Sequence, residues 1–216
     1  MDEMISEEMQ IMLQTVRRFV DRDLEPISRQ VEEEDRLPPE IVQKMREMGL
    51  FGLSIPQEYG GLGLSTFEEC LVYEAMGRTN ACFRTYIGTN NGIGSHGIIM
   101  DGTEEQKNRY LPLLACGEWI GCFALSEPEA GSDAGNVKTS AVRDGDAWIL
   151  NGRKHFITNG DVADLSTVFA VTDREKKTRG GITAFLVESG FPGFSRGPSD
   201  KKMGHHGSHT CELIFE

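Results

Sequence analysis

Residues 119–133 read Trp-Ile-Gly-Cys-Phe-Ala-Leu-Ser-Glu-Pro-Glu-Ala-Gly-Ser-Asp, and here the character of the chain changes. Ahead of this stretch apolar residues recur at helical spacing. Behind it β-branched and aromatic residues alternate with polar ones between turn signals. Residues 120–126 therefore predict a strand, which Pro128 ends, with Ala130-Gly131-Ser132-Asp133 as the turn beyond it. A second segment, Phe156-Ile157-Thr158-Asn159-Gly160, has the same make-up of apolar residues, hydroxyls and glycine.

Upstream, Met9, Met12, Leu13, Val16 and Val20 fall on one helical face, predicting an amphipathic helix over 7–25. Pro38-Pro39 opens a second helix with Ile41, Val42 and Met45 on one face and Gly49 as its stop. Residues 50–64 read as loop. Ser65-x-x-Glu68 and Thr103-x-x-Gln106 are capping-box signatures, opening helices that run to about Arg78 and about Leu114. Residues 84–101 are Gly-rich but almost uncharged, predicting buried helix. Downstream, Asp144-Gly145-Asp146 and Asn151-Gly152 read as hairpin turns, and Val168–Thr172 and Thr183–Val187 as strands. Gly180-Gly181 and Pro192-Gly193 interrupt the run, and Leu213-Ile214-Phe215-Glu216 is again strand-like. The expected fold class is α+β: an all-helical domain over 1–116, then a β-barrel or sandwich over 117–216. Because the strand pattern runs to the last residue, the chain reads as truncated.

With 216 residues, 38% of them hydrophobic, the chain can bury a sizeable core. A net charge of −12 and a pI near 4.9 give it no basic footprint for nucleic acid. Five cysteines without a CxxC pair point to reduced thiols, neither a disulfide framework nor a zinc site. The acidic start, Met1-Asp2-Glu3-Met4-Ile5-Ser6-Glu7-Glu8, resembles neither a secretory signal nor a transit peptide, and no apolar run suits a membrane span. The expected location is cytoplasmic.

Two strings invite over-reading. Gly92-x-Gly94-x-x-Gly97 matches a dinucleotide fingerprint only as letters, since it lies in helical surroundings and not between a strand and a helix. His205-His206-x-x-His209 could ligate a metal, but no carboxylate or cysteine accompanies it at ligand spacing and Gly204 and Gly207 mark an exposed turn; no metal is expected. The two segments at 123–133 and 156–160 present hydroxyls, turn amides and an aromatic ring at strand ends. Read alone, they fit a cofactor site or two ordinary turns.

In extent and order of motifs the chain resembles the acyl-CoA dehydrogenase family. The carriers are Pro56-Gln57-Glu58-Tyr59-Gly60-Gly61-Leu62-Gly63, Gly102-Thr103-Glu104-Glu105-Gln106-Lys107 through Tyr110-Leu111-Pro112, Phe123 to Asp133, Asn151-Gly152-x-Lys154 through Thr158-Asn159-Gly160, and Met203-Gly204 to Phe215-Glu216. The resemblance implies FAD as cofactor, held by Phe123, Leu125, Ser126, Gly131, Ser132, Phe156 and Thr158. Ser126 would sit at the pyrimidine edge, Phe156 would flank the ring system where many members carry Trp, and Thr158 would bond N5. Ser132 would also meet the pantetheine arm of an acyl-CoA substrate.

The implied reaction is α,β-dehydrogenation of the thioester to the 2-enoyl-CoA, in fatty acid or amino acid catabolism. Electron-transfer flavoprotein would be the acceptor, and the full-length protein a homotetramer or homodimer. The family's catalytic base is a glutamate in a C-terminal helical bundle, so no catalytic base is expected within this chain and the fragment alone is expected to be inactive. Arg84 falls where glutaryl-CoA dehydrogenases place an arginine for the distal carboxylate, although the glutamate they carry seven residues earlier is Gly77 here. His206 stands where many members carry arginine. A same-fold acyl-CoA oxidase or flavin monooxygenase, or a non-catalytic FAD- or CoA-binding module, are the alternative readings.

Overall fold

The computed structural model describes residues 5–176 and 178–216; the first four residues of the acidic N-terminus and Lys177 lie outside the described residues. The chain forms two compact units. The first holds the N-terminal 118 residues together with Lys202–Ser208, and the second holds Trp119–Lys201 and His209–Glu216.

In the helical unit, α1 (Glu7–Phe19) starts where Ser6 Oγ accepts from Met9 N, and it buries Met9, Leu13, Val16 and Phe19. The helical path then runs past the expected end near residue 25, with its winding changed. A π turn covers Val20–Leu24, a 3₁₀ turn Glu25–Ile27, and α2 spans Ser28–Glu34. Pro26 supplies the reason. It has no N–H to donate and its ring crowds the carbonyl four residues back, so the turn must widen ahead of it.

Helix α3 (Pro39–Glu47) stops at Gly49, whose φ of 70° is left-handed. The stretch read as loop contains short 3₁₀ turns at Leu50–Gly52 and Gln57–Tyr59. Both capping boxes form, at the starts of α4 (Thr66–Met76) and, later, α7 (Glu104–Ala115). Between them the Gly-rich stretch is two helices, α5 (Ala81–Asn91) and α6 (His96–Asp101). The Gly92-x-Gly94-x-x-Gly97 string straddles their junction, with no strand before it.

The core of this unit collects Leu24, Met45, Leu53, Met76, Phe83 and Leu111. One polar side chain ties it together. Asn91 is fully buried; its Nδ2 donates to Leu50 O (2.6 Å) and Ile87 O (3.1 Å), and its Oδ1 accepts from Leu53 N (2.6 Å). It fastens α5 to the irregular segment after α3, which has no ladder of its own to satisfy those groups.

The second unit is a seven-stranded sheet with the order β1-β4-β2-β3-β7-β6 and β5 paired on β4. Its strands are β1 (Gly121–Ala124), β2 (Ser140–Asp144), β3 (Ala147–Thr158), β4 (Leu165–Val171), β5 (Ile182–Glu188), β6 (Phe194–Ser199) and β7 (Thr210–Phe215). β1 and β4 run parallel, and β2 meets β4 only at Ser140–Val171, so the sheet curls there. Its core is Cys122, Ala124, Ile157, Ala163, Val168, Cys211, Leu213 and Phe215.

The hairpin at Asp144–Ala147 forms as read. Asn151-Gly152 does not: it lies inside the 12-residue β3, paired to Ser140 and Phe215. Gly152 is there because Thr139 approaches closely, and a Cβ would stand 2.6 Å from Thr139 Oγ1.

Replacing Asn91 with Ala leaves a buried N–H and two carbonyls short of a partner. It should cost about 2–4 kcal/mol, read as a lower denaturant midpoint at unchanged slope.

Candidate functional site

The structure brings the two segments side by side. Ser126 O, just past β1, accepts from His155 N of β3 at 2.8 Å. Beneath that contact Lys154, with none of its surface in water, donates from Nζ to Glu127 Oε1 (2.8 Å) and to Leu125 O (3.2 Å). Glu127 is also buried, and it accepts from Lys138 N (2.5 Å) and Thr139 N (2.9 Å) as well. The pair thus fixes the end of β1, the approach to β2 and the middle of β3.

Burial works to raise the Glu127 pKa. The hydrogen bonds from Lys154, Thr139 and Lys138 outweigh it and hold the carboxyl below its ordinary range. Burial draws the Lys154 ammonium below its ordinary value, with Glu127 opposing. Sequence reading gave these residues no role; the available signal was a lysine two strand positions from the apolar Phe156 and an acid beside the strand-ending Pro128.

Above the pair the backbone of β3 is irregular. Its pairing with β7 slips by one residue between Lys154 and Ile157, a β-bulge. Phe156 occupies the left-handed region at φ 57° and is 64% exposed. A bulky residue held there costs on the order of 1–3 kcal/mol. Its ring stacks on His155 at 3.9 Å and 7°, leaving aromatic surface available. Ile157 turns into the core while Thr158 is half-buried, opposite Thr210.

Across the site Phe123, Leu125 and Ser126 are half-buried, and Phe123 packs on Phe169 at 4.9 Å. Among the described residues, neither the Ser126 nor the Thr158 hydroxyl meets a hydrogen-bond partner within the protein. Gly131 and Ser132 are exposed, and a Cβ on Gly131 would meet nothing within 4 Å. A largely exposed ring, two uncommitted hydroxyls and an open turn fit a flat, hydrogen-bonding aromatic group. The nearby Cys122 and Cys211 thiols offer no nucleophile, because burial pushes them up to about 12 and about 11.

Beyond Ser132 lies a cleft of about 470 Å³ lined by Asp133, Asn136, Lys138, Arg174, Thr178 and Ile182 among others. Among the described residues Arg174 faces no carboxylate within ion-pair distance. Sequence reading missed this cleft, since Lys138 and Arg174 stand far apart in the chain.

In the helical unit Arg84 is exposed on α5, its guanidinium 4.2 Å from the Tyr73 ring centre. The three histidines do not converge: His205 Nε2 meets Thr85 Oγ1, His206 Nδ1 meets Glu32 O, and His209 Nδ1 meets Asp161 Oδ2. Nor is 204–207 simply an exposed turn, because Gly207 and Ser208 are buried. Gly207 packs against Val31 and Cys82, and its N–H is fixed by Asp35.

Sequence comparison matches residues 6–118 to the acyl-CoA dehydrogenase N-terminal domain and residues 122–216 to the acyl-CoA dehydrogenase middle domain. The chain belongs to the acyl-CoA dehydrogenase family. Among its relatives in that family, a short-chain specific acyl-CoA dehydrogenase of Clostridium acetobutylicum is 41% identical over 216 residues, all of this chain and 57% of that protein. The structure of butyryl-CoA dehydrogenase from Megasphaera elsdenii superimposes with a TM-score of 0.91 at 34% identity, covering 98% of this chain and 56% of that one. A glutaryl-CoA dehydrogenase from Mycobacterium smegmatis in complex with FADH2 gives 0.90 at 36% identity, covering 100% and 54%. The chain therefore spans about half the length of the acyl-CoA dehydrogenases it matches. Among the described residues no helix is long and apolar enough to cross a membrane.

Removing one partner of the buried pair, as in Glu127→Gln or Lys154→Met, should destabilise the protein by about 3–5 kcal/mol. The carboxyl's folded pKa is depressed. Its contribution is therefore complete above the unfolded value of about 4.3 and is lost as pH falls through the lower folded value. Acid-unfolding curves should show this limb in the wild type and not in Glu127→Gln.

Proposed function

We propose that this chain carries the flavin- and thioester-facing part of an FAD-dependent acyl-CoA dehydrogenase that converts an acyl-CoA to its 2-enoyl-CoA. The observation that carries the proposal is the bulge at Phe156, which holds a largely exposed ring on the strand of Thr158, next to the His155 amide that bonds Ser126, with both hydroxyls uncommitted. When bound, FAD supplies the hydride acceptor for the β-carbon. Ser126 and Thr158 are then hydrogen-bond donors to its polar edges, with Phe156, Phe123 and Leu125 as its apolar surround and Gly131 leaving room at the turn. Donors fixed in advance stabilise charge as it develops, without reorganisation. Ser132, at the exposed turn, faces the thioester arm. The basic lining of the adjoining cleft, Lys138 and Arg174, suits the nucleotide phosphates of CoA.

No residue of this chain is assigned as the α-proton base. That role is proposed for a glutamate of the C-terminal helical domain, on the length of the relatives that this chain does not span. Electron-transfer flavoprotein is the proposed electron acceptor, and a homotetramer or homodimer the proposed assembly. Arg84, whose guanidinium has no carboxylate within ion-pair distance among the described residues, favours a second reading in which the acyl tail ends in a carboxylate.

An acyl-CoA panel on the full-length protein, followed by loss of flavin absorbance, tests these readings. Butyryl- or octanoyl-CoA should bleach the flavin anaerobically, with slow reoxidation by O₂; rapid reoxidation would mark an oxidase, and no bleaching by any thioester a binding module. If dicarboxylyl thioesters alone fail to bleach, Arg84 has no such role. Thr158→Val should lower kcat/KM by roughly 10–100-fold. Arg174→Ala should raise KM for acyl-CoA several-fold while leaving the acyl-pantetheine thioester unaffected.

A further inference from the structure

The segment Lys202–Ser208 belongs to the helical unit, although β6 precedes it and β7 follows it in the chain. Its bonds to α2 and the C-terminal end of that helix are made by two residues, His206 and Gly207. His206 N donates to Glu32 Oε2 (3.2 Å) and Gly207 N to Asp35 Oδ1 (2.7 Å), so two backbone amides of the segment are bound by carboxylates at the end of α2. The His206 ring makes two further contacts: Nδ1 lies 2.9 Å from Glu32 O, and Nε2 lies 3.1 Å from Lys202 O. Both partners are backbone carbonyls, which can only accept. A neutral imidazole has one N–H and one lone pair, so one of these contacts would set lone pair against lone pair. Only the imidazolium donates to both. The Glu32 carboxylate, 3.5 Å from Nδ1, completes the site as counter-charge.

We propose that His206 is an imidazolium latch, holding the 202–208 segment onto the C-terminal end of α2 while protonated and releasing it on deprotonation.

The surrounding groups are consistent with one charge at this position. From α2 and its end, Glu32 and Asp35 face the ring with negative charge. From the segment itself, Lys202 is the neighbouring cation, but its Nζ is turned to the carbonyls of His205 and Ser208. His205, next in the chain, is held below its ordinary value by burial and then by the Lys202 charge, and its Nε2 is committed to Thr85 Oγ1. From α5, the Cys82 thiol is pushed up to about 12 by burial and then by Glu32, and stays neutral. Asn80 Nδ2 donates to Glu32 Oε2 and fixes that carboxylate.

His206 itself is raised above its ordinary value, first by the Lys202 carbonyl and next by that of Glu32. The sign follows. The folded value lies above the unfolded one of about 6.5, so the latch is complete below that and is lost as pH rises through the folded value.

Hydrogen exchange of the 202–208 amides in the full-length protein tests this, with protection factors corrected for intrinsic base catalysis. Wild-type protection should fall about tenfold or more between about pH 6 and about pH 9. His206→Arg, a permanent cation, should change less than about twofold across that range. His206→Gln, an uncharged side chain with its N–H donors on a single nitrogen and an acceptor oxygen at its other end, should show the low, alkaline-form protection throughout. A wild-type profile as flat as that of His206→Arg would overturn the latch. So would His206→Gln protection equal to that of the wild type at the acidic end. The wild-type profile decides the matter even where a variant does not fold.

Discussion

A lysine ammonium removed from water must be met by opposite charge and hydrogen bonds, or it cannot remain in the fold as a cation. Lys154 is fully buried, and Glu127 and the Leu125 carbonyl meet it. That requirement ties the loop after β1 to the middle of β3 at one point. The same carboxylate caps two amides leading into β2, so three separate parts of the β unit are located by one pair. A buried ion pair contributes little net stability compared with apolar packing. Its effect here is positional. The residues that carry the proposed flavin contacts, Ser126 on one side and Phe156 and Thr158 on the other, flank the two members of the pair in sequence.

The backbone above the pair shows the cost of that arrangement. Phe156 sits in a region that bulky L-residues avoid, at a bulge that shifts β3 against β7. Such a conformation persists only where surrounding contacts over-determine it. His155 is fixed by its amide to Ser126 O and Ile157 is held in the core, so Phe156 between them has nowhere else to turn. Exposure of an aromatic ring under these constraints is what makes the site read as built for a flat ligand.

The crossing segment 202–208 follows the same logic with a different charge. One of its own carbonyls and one from α2 converge on a ring that satisfies both only when protonated, and α2 with its C-terminal end supplies the carboxylates. In both places cationic side chains do what regular secondary structure does elsewhere: they satisfy backbone groups that have no ladder.

The sequence by itself determined the change from helix to strand near Trp119, the capping boxes of α4 and α7, the stop at Gly49 and the hairpin at Asp144–Ala147. It also determined the family, through motifs spread along the chain. All of these depend on neighbours a few residues apart, where propensity and periodicity act. Only the tertiary structure decided that Gly152 is a close-approach glycine inside a strand, that Pro26 widens a turn without ending the helical path, and that three neighbouring histidines serve three different partners. The Glu127–Lys154 pair, the bulge at Phe156 and the cleft at Lys138 and Arg174 belong with these. Each depends on residues brought together across strands or from distant parts of the chain. No local pattern records which carbonyl a lysine will meet, or which side chain will crowd a glycine.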